Sequence, residues 1–456
     1  MRNLRYLMGL YGGKATKGIL KVMKRQGSYL PGVVSSKLDP SYLRHLPKPE
    51  RIMAVTGTNG KTTTSNMMLH ILGTLHDSVV NNSLGSNTIY GVVTALANNL
   101  SAGGQKISEV AVLEVDERWT PHVFKDVTPK VLLCTNLFQD FYRRSAHTDF
   151  IKDTIEAGLP KETRLVLNGD DLISAQIGEG THERVFFSIA PLPGEQEERD
   201  CILRDIRYCP HCATELSWDF IRYHHIGRAH CPHCGFKNPE AKYRITKVGE
   251  ETFTLEEDGV PREVPMIMNT METLYNQLAA YATLREMDYT PEEILPAMAD
   301  AKVIASRFDA VKAGDKTIYR ISAKGMSPIA NSRVLDLIRK HPGKKTVIIN
   351  NDNSLSDRYT EMLSWLWDVD FEFLATDDLN RLIINSWKYN DVVIRALMAG
   401  IPEEKIRALN DYRRIPGLVD LSLPGDIFIL QDIEAPSQAQ AKGIRDELVR
   451  RLEEAK

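Results

Sequence analysis

The 456-residue sequence lacks any apolar run of the roughly 18–20 residues that span a bilayer, so a membrane-embedded protein is not expected. It has little net charge: 57 Lys and Arg against 60 Asp and Glu leave a formal −3, and no global field points to nucleic acid. Its first residues hold no compact hydrophobic stretch followed by a cleavage site, so no secretory signal is expected either. The chain is accordingly expected in the cytoplasm. Cysteine is sparse, six in all, and four of these form two Cys-x-x-Cys pairs that have a better use than disulfides. Repeats and low-complexity segments are absent. What is present is an ordinary globular composition, 43% hydrophobic and 26% charged, long enough for two or three domains.

Residues 1–50 carry ten Lys or Arg against two acids. Leu4, Leu7, Met8, Tyr11, Ala15, Ile19 and Val22 fall at helical spacing, which predicts a basic amphipathic helix. The favoured expectation is a helix docked on the next domain with a solvated outer face. The alternative is contact with an anionic membrane surface. From residue 51 short apolar strands alternate with helical stretches: "RIMAV", "EVAVLEVDE", "PKVLLCTNL" and "TRLVLNGDD". That pattern predicts a parallel sheet with helices on both faces. "KYRITKVGEETFTLEEDG" reads as a hairpin and "ETLYNQLAAYATLREM" as a helix. After about residue 305, "KKTVIINNDN", "DVDFEFLATDD" and "GDIFILQD" alternate with helices again, which predicts a second, smaller α/β domain. The expected boundaries are 1–50, 51–304 and 305–456.

"AVTGTNGKTTTSN", residues 54–66, places a glycine-rich turn between a strand and a helix. Such a turn aims backbone N–H groups and the helix dipole at an anion. Thr58, Asn59, Gly60, Lys61, Thr62 and Thr63 are the candidate phosphate-binding residues, with Lys61 reaching the terminal phosphates and the Thr62 hydroxyl a Mg²⁺ ligand. The loop is two residues shorter than the usual P-loop between its first glycine and Gly-Lys-Thr. "LEVDE" then offers Glu114, Asp116 and Glu117 at a strand end, where an acid can meet the metal. Strand alternation puts Glu114 and Asp116 on one side and Glu117 at the turn.

Cys209-x2-Cys212 and Cys231-x2-Cys234, 18 residues apart, have zinc-ribbon spacing. Four thiolates close the coordination sphere, so the metal is expected to be structural and to pin an insertion at about 200–240. His211, His224, His225 and His233 are expected to be bystanders. Outside this cluster only Cys134 and Cys201 remain, neither in the setting of a nucleophile.

"VTGTNGKTTT", "LEVDE", "LYNQLAA" and the Arg of "SRFD" follow one another in the order of the Mur ligase family, which the chain resembles. The four-Cys insertion, the short N-terminal region, "GSYLPGVVSSKLDPSYLRHL" and "SWLWDVDFE" narrow the resemblance to MurT-type synthetase subunits of lipid II isoglutaminyl synthases. It implies a Mur ligase-type P-loop central domain interrupted by the ribbon, and a smaller Rossmann-like α/β C-terminal domain. It also implies ATP, Mg²⁺ and structural Zn²⁺ as cofactors. The implied chemistry is formation of an acyl phosphate on the D-glutamate α-carboxyl of lipid II, then amidation with ammonia from a partner glutaminase of the class I amidotransferase type. Carried over by position, Lys61 and Thr62 hold phosphates and Mg²⁺ and Glu114 holds Mg²⁺. Asn276 lies by the nucleotide, and Arg307 contacts phosphate from across the domain interface. An Asp of the C-terminal domain completes the partner's catalytic triad. Here Asp357 is the first candidate, Glu361 the second, and Asp352 stays open.

The sequence departs from the family pattern at "FYRRSAH", "AKGMSPIANS" and the segment "NNDNSLSDRYTEMLSWLWD". A paralogue using another carboxylate or amine, and a nucleotide-bound scaffold, are the alternatives.

Overall fold

The computed structural model describes residues 4–82, 86–101, 103–139, 147–195, 200–301, 308–350 and 363–454. They form two compact units. The first comprises the described residues of Met1–Phe138, His147–Asp200 and Arg204–Val303; the second, those of Gln139–Ala146, Cys201–Leu203 and Ile304–Lys456.

In the first unit the strands are β1 (Arg51–Thr56), β2 (Val80–Asn81), β3 (Val110–Glu114), β4 (Val131–Cys134), β5 (Arg164–Asn168) and β6 (Arg184–Ile189). After them come β7 (Ser217–Tyr223), β8 (Ile226–His230), β9 (Tyr243–Val248), β10 (Thr252–Glu257) and β11 (Val260–Pro265). Nine of these make one sheet in the order β11-β10-β9-β6-β5-β4-β1-β3-β2. All neighbours from β9 to β2 are parallel, and β10 and β11 extend the edge as antiparallel strands. The parallel strands read as continuous apolar runs because both faces are covered. Ile52, Ala54, Leu113 and Leu132 share one core with Leu96, Val123 and Ile151 from helices Ile89–Asn98, Thr120–Phe124 and Thr148–Gly158. On the other face, helices Lys61–Leu75 and Met271–Arg285 pack on each other and on the sheet. β7 and β8 form a separate hairpin.

Chain order turns at the centre: β2 and β3 lie to one side of β1, β4 to β6 to the other. Ligands of open parallel sheets bind where the order reverses, at the carboxyl ends of the strands. The glycine turn after β1, Glu114 at the end of β3 and the loop after β4 all fall there.

The N-terminal helix is docked with a solvated outer face, as in the favoured expectation, but the face that docks is not the apolar stripe. Leu4–Val22 is helical, but it buries Tyr6, Gly9, Leu10 and Gly13. A Cβ on Gly9 would lie 2.8 Å from the Tyr42 ring, and one on Gly13 2.3 Å from Ser35 Oγ, so the glycines permit close approach. Of the periodic stripe, Leu4, Met8, Tyr11, Ala15, Ile19 and Val22 are exposed, Leu4 and Val22 at 72% and 84%, and Leu7 alone packs partly buried against the core. Spacing announces an apolar stripe but not which face docks, and here small residues make the better contact.

The second unit contains β12 (Phe308–Ala313), β13 (Lys316–Ala323), β14 (Lys345–Asn350), β15 (Leu379–Asn385), β16 (Ile406–Leu409) and β17 (Asp426–Asp432). Their order is β12-β13-β17-β14-β15-β16, parallel except for the β12–β13 hairpin. Val347, Ile349, Leu382 and Ile384 pack with Leu335 and Val392 of helices Pro328–Lys340 and Tyr389–Met398. The alternate residues Ile348, Ile383 and Ile429 pack with Ile444 and Leu448 of Ala435–Glu454. "DVDFEFLATDD" is not a strand: Phe371–Leu374 is a buried turn of 3₁₀ helix, and the strand starts at Leu379. The segment's aromatics fill a core corner, and Asp370 N donates to Ser332 Oγ at 2.9 Å in place of a ladder bond.

Candidate phosphate site and cysteine cluster

The turn after β1 needs its glycines. Gly57 has φ +118° and Gly60 φ +87°, conformations that L side chains rarely adopt. A Cβ on Gly57 would lie 2.3 Å from Thr135 Oγ1, and one on Gly60 2.4 Å from Asn276 Oδ1. Gly60 is the cap of helix Lys61–Leu75, whose first-turn N–H groups have no acceptor within the helix. The loop after β4 braces the turn: Thr58 N donates to Asn136 O at 2.8 Å, Asn59 N to Asn136 Oδ1 at 3.0 Å, and Thr135 Oγ1 to Asn59 O at 2.6 Å. The result is a rigid cradle with free backbone donors, which suits a phosphate.

Lys61 Nζ donates to Glu117 Oε1 at 2.9 Å, to Thr58 O at 3.3 Å, and to Gly57 O. Burial works against the ammonium, but Glu117, with Glu114 and Asp116 behind it, outweighs burial and holds its pKa above the ordinary lysine value. Lys61 is therefore a charged group folded against its own loop. Thr62 Oγ1 donates to Glu114 Oε2 at 2.8 Å. Two oxygens bound side by side on Mg²⁺ at 2.0–2.1 Å are roughly 2.9 Å apart, so this pair fits that ion. Asn82 brackets the Glu114 backbone, donating to its O and accepting from its N at 2.8 Å each. Asp116 turns away from this pair, contrary to strand alternation: it accepts from Arg118 N at 3.1 Å and pairs with the Arg118 side chain. The strand ends at Glu114, so the period of two does not reach Asp116. Asn276 sits on helix Met271–Arg285 and accepts from Thr64 Oγ1 at 3.2 Å. Thr63 lies in the first helical turn.

Thus Thr58, Asn59, Gly60, Lys61, Thr62, Thr63, Glu114 and Asn276 come together around one turn. Arg307, Asp357, Glu361 and Asp352 lie outside the described residues. Sequence reasoning missed the bracing Thr135 and Asn136 and the pairing of Glu117 with Lys61; their signal was position alone, just past the ends of β4 and β3.

The Sγ atoms of Cys209, Cys212, Cys231 and Cys234 all lie within 4.8 Å of one another. Cys209 and Cys234 are 3.5 Å apart, and Cys212 and Cys231 3.4 Å. Thiolates about 2.3 Å from a tetrahedral Zn²⁺ are roughly 3.8 Å apart, so the set fits zinc. Each pair closes as a tight knuckle, with Ala213 N donating to Cys209 O at 2.9 Å and Gly235 N to Cys231 O at 3.1 Å. Among the described residues no histidine belongs to the cluster. Burial, with Asp171 and Glu117 adding to it, pushes the Cys134 thiol well above the ordinary range. Cys201 is also buried, in the second unit.

A Mur ligase middle-domain model matches residues 55–202, and a MurT ligase C-terminal model matches residues 326–422. The chain is 28% identical over 404 residues to the lipid II isoglutaminyl synthase (glutamine-hydrolyzing) subunit MurT of Staphylococcus aureus (strain COL), covering 87% of this chain and 89% of that one. It is 28% identical over 430 residues to the subunit of the same name from Streptococcus pneumoniae (strain ATCC BAA-255 / R6), covering 91% of each. Among solved structures, a pseudomurein peptide ligase type C from Methanothermus fervidus superposes with TM-score 0.69 at 19% identity, over 91% of this chain and 84% of that one. A MurF from Acinetobacter baumannii superposes with TM-score 0.61 at 14% identity, over 91% and 80%. The chain has the Mur ligase fold, carries a Mur ligase middle domain and a MurT-type C-terminal match, and is an ATP-dependent Mur-type ligase.

Proposed function

We propose that this chain is the synthetase half of a two-protein amidating enzyme that acts on lipid II. It activates the D-glutamate α-carboxyl as an acyl phosphate and joins it to ammonia released by a separate glutaminase. The observation that carries this reading is the meeting of Lys61, Thr62 and Glu114 at the strand ends, in a chain similar to MurT subunits over 87–91% of its length.

In this reading the amides of residues 60–63 and the Lys61 ammonium hold the ATP phosphates, in a turn that Thr58 and Asn59 shape through their bonds to Asn136. To reach them Lys61 exchanges Glu117 and the Gly57 carbonyl for phosphate oxygens. Thr62 and Glu114 would hold Mg²⁺, which would supply charge neutralisation for the transferred phosphoryl group. Asn276 fixes the turn beside the nucleotide through Thr64 and Gly60. Arg307 supplies further positive charge to the phosphates. The substrate carboxylate attacks the γ-phosphorus, ADP leaves, and ammonia displaces phosphate from the acyl carbon. A glutaminase needs a reactive, accessible thiolate, and neither Cys134, buried and held as a thiol, nor the buried Cys201 provides one. The ammonia therefore comes from a partner, whose triad Asp357 completes, with Glu361 and Asp352 as the other candidates.

A lipid-linked substrate places the enzyme at the inner face of the membrane. The exposed stripe Leu4, Met8, Tyr11, Ile19 and Val22, on a helix without a single acid, supports that placement. Among the described residues no helix is long and apolar enough to cross a membrane, so the contact is peripheral.

The acyl phosphate has a direct test. With lipid II whose glutamate α-carboxyl carries heavy oxygen, one labelled atom should appear in the released phosphate; phosphate free of label rejects the intermediate.

A further inference from the structure

The ribbon does more than close on itself. The turn of the β7–β8 hairpin lies at the end away from Cys231, and it is buried against the loops that brace the phosphate turn. His225 Nδ1 is 3.0 Å from Asp205 Oδ2, and its Nε2 is 3.3 Å from Asp171 Oδ1, with the imidazole wholly shielded from solvent. The other Asp171 oxygen accepts from Leu137 N at 2.7 Å. The Phe138 ring centre is 4.5 Å from that of His225 and 6.1 Å from that of Tyr223. Phe138 N and O in turn both bond the Thr58 hydroxyl, at 2.9 and 3.1 Å.

A second tether starts at Arg222. Its guanidinium lies 3.0 Å from Asp170 Oδ2, and Tyr275 OH donates to the same oxygen at 2.7 Å. Tyr275 immediately precedes Asn276, which touches Thr64. Arg222 and Asp170 are both buried, their side chains 3% and 0% exposed. Buried ion pairs contribute little net stability compared with apolar packing; their attested use is to fix geometry. Both tethers run from the hairpin to residues that hold the phosphate turn.

We infer that the cysteine-closed ribbon is a positioning device for the nucleotide loop, with His225 and Arg222 as the positioning residues that transmit it. The thiolate-bound metal sets the hairpin, and the hairpin turn sets the loop 135–138 and Asn276 against residues 57–62. This rests on the reading of residues 57–62 as a nucleotide site.

The test uses the full zinc-loaded chain, with ADP and Mg²⁺ as the probe. ADP affinity is measured by calorimetry, zinc content by elemental analysis, and hydrogen exchange is followed in segments 54–66 and 135–138. His225→Gln should keep its zinc, weaken ADP binding about tenfold, a usual size for coupled sites, and speed exchange in both segments but not in β14. Chelating the zinc from the unmutated chain should weaken ADP by a similar factor. Chelation after His225→Gln should add nothing further, because both act through one route. Phe138→Leu, which removes the ring contact without touching a charge, should shift affinity and exchange in the same direction, so the inference does not hang on one variant. Unchanged ADP affinity in the zinc-free chain overturns it, as do effects of chelation and His225→Gln that simply add. Failure of the unmutated, zinc-loaded chain to bind ADP would instead remove the nucleotide reading on which the inference stands.

Discussion

His225 makes a quantitative demand on the pH dependence of stability. Burial lowers the pKa of an imidazole, but Asp171 and Asp205 on its two nitrogens outweigh burial and hold it at about 9, against 6.5 for an ordinary histidine. The folded chain thus binds this proton more tightly than the unfolded chain does. The resulting stabilisation is complete below about pH 6.5, declines between 6.5 and 9, and is gone above, when a neutral ring faces two buried carboxylates. At 1.36 kcal/mol per pKa unit the shift corresponds to about 3 kcal/mol. That is a large share of the roughly 5–15 kcal/mol that holds a typical domain folded. The assay is urea unfolding of the zinc-saturated chain and of His225→Gln, from pH 6 to 9.5, with the first unit followed by hydrogen exchange. Taking the difference between the two proteins at each pH cancels the other titrating groups. The advantage of the unmutated chain should shrink by about 3 kcal/mol across the window. A difference that stays level with pH would refute the charged, doubly paired imidazole.

Other outcomes follow from the same geometry. Lys61→Ala should cut ATP turnover by about 10²–10³-fold or more, the scale of losing one preorganised charge-stabilising donor; near-full turnover would remove Lys61 from the chemistry. Glu117→Gln should tighten ADP binding severalfold in a titration, because Lys61 no longer leaves a carboxylate to meet phosphate; weaker binding would mean that Glu117 aids the nucleotide. Met8→Asp with Ile19→Asp should abolish sedimentation with anionic vesicles while leaving Tm nearly unchanged, since both residues are exposed; undiminished sedimentation would exclude the helix as the membrane contact. Asp357→Ala should spare ATP binding and lose glutamine-dependent amidation, and retained glutamine use would pass the role to Glu361 or Asp352.

Much of the site was legible because its signals are local. Gly57 and Gly60 are demanded by positive φ and by crowding from Thr135 and Asn276, so the spacing of the turn already encodes its shape. The four cysteines announce themselves through two short spacings, and the parallel strands through unbroken apolar runs. What stayed hidden depends on contacts between segments far apart in the chain. Nothing near residue 61 tells that Lys61 rests on Glu117, or that Asn136 holds Asn59. His225 looked like a bystander to the metal, and it is not a ligand; its ion pairs with Asp171 and Asp205 become visible only once the hairpin folds back on the loop after β5. The N-terminal helix misled for a different reason. Its periodic apolar stripe was real, but Gly9 and Gly13 gave the opposite face a closer fit. "DVDFEFLATDD" likewise has strand-like composition, yet its aromatics are spent on a core corner rather than on a ladder.

The central claim is that the ATP phosphate activates a carboxylate which then becomes an amide. It is tested most directly by mass spectrometry of lipid II after incubation with the chain, ATP, Mg²⁺ and free ammonium at raised pH, where ammonium stands in for the glutaminase. The account predicts a stem lighter by about one dalton, as a hydroxyl gives way to an amino group and a carboxylate charge is lost, with Lys61→Ala leaving the mass unchanged. Unaltered lipid II alongside brisk ATP hydrolysis would contradict it.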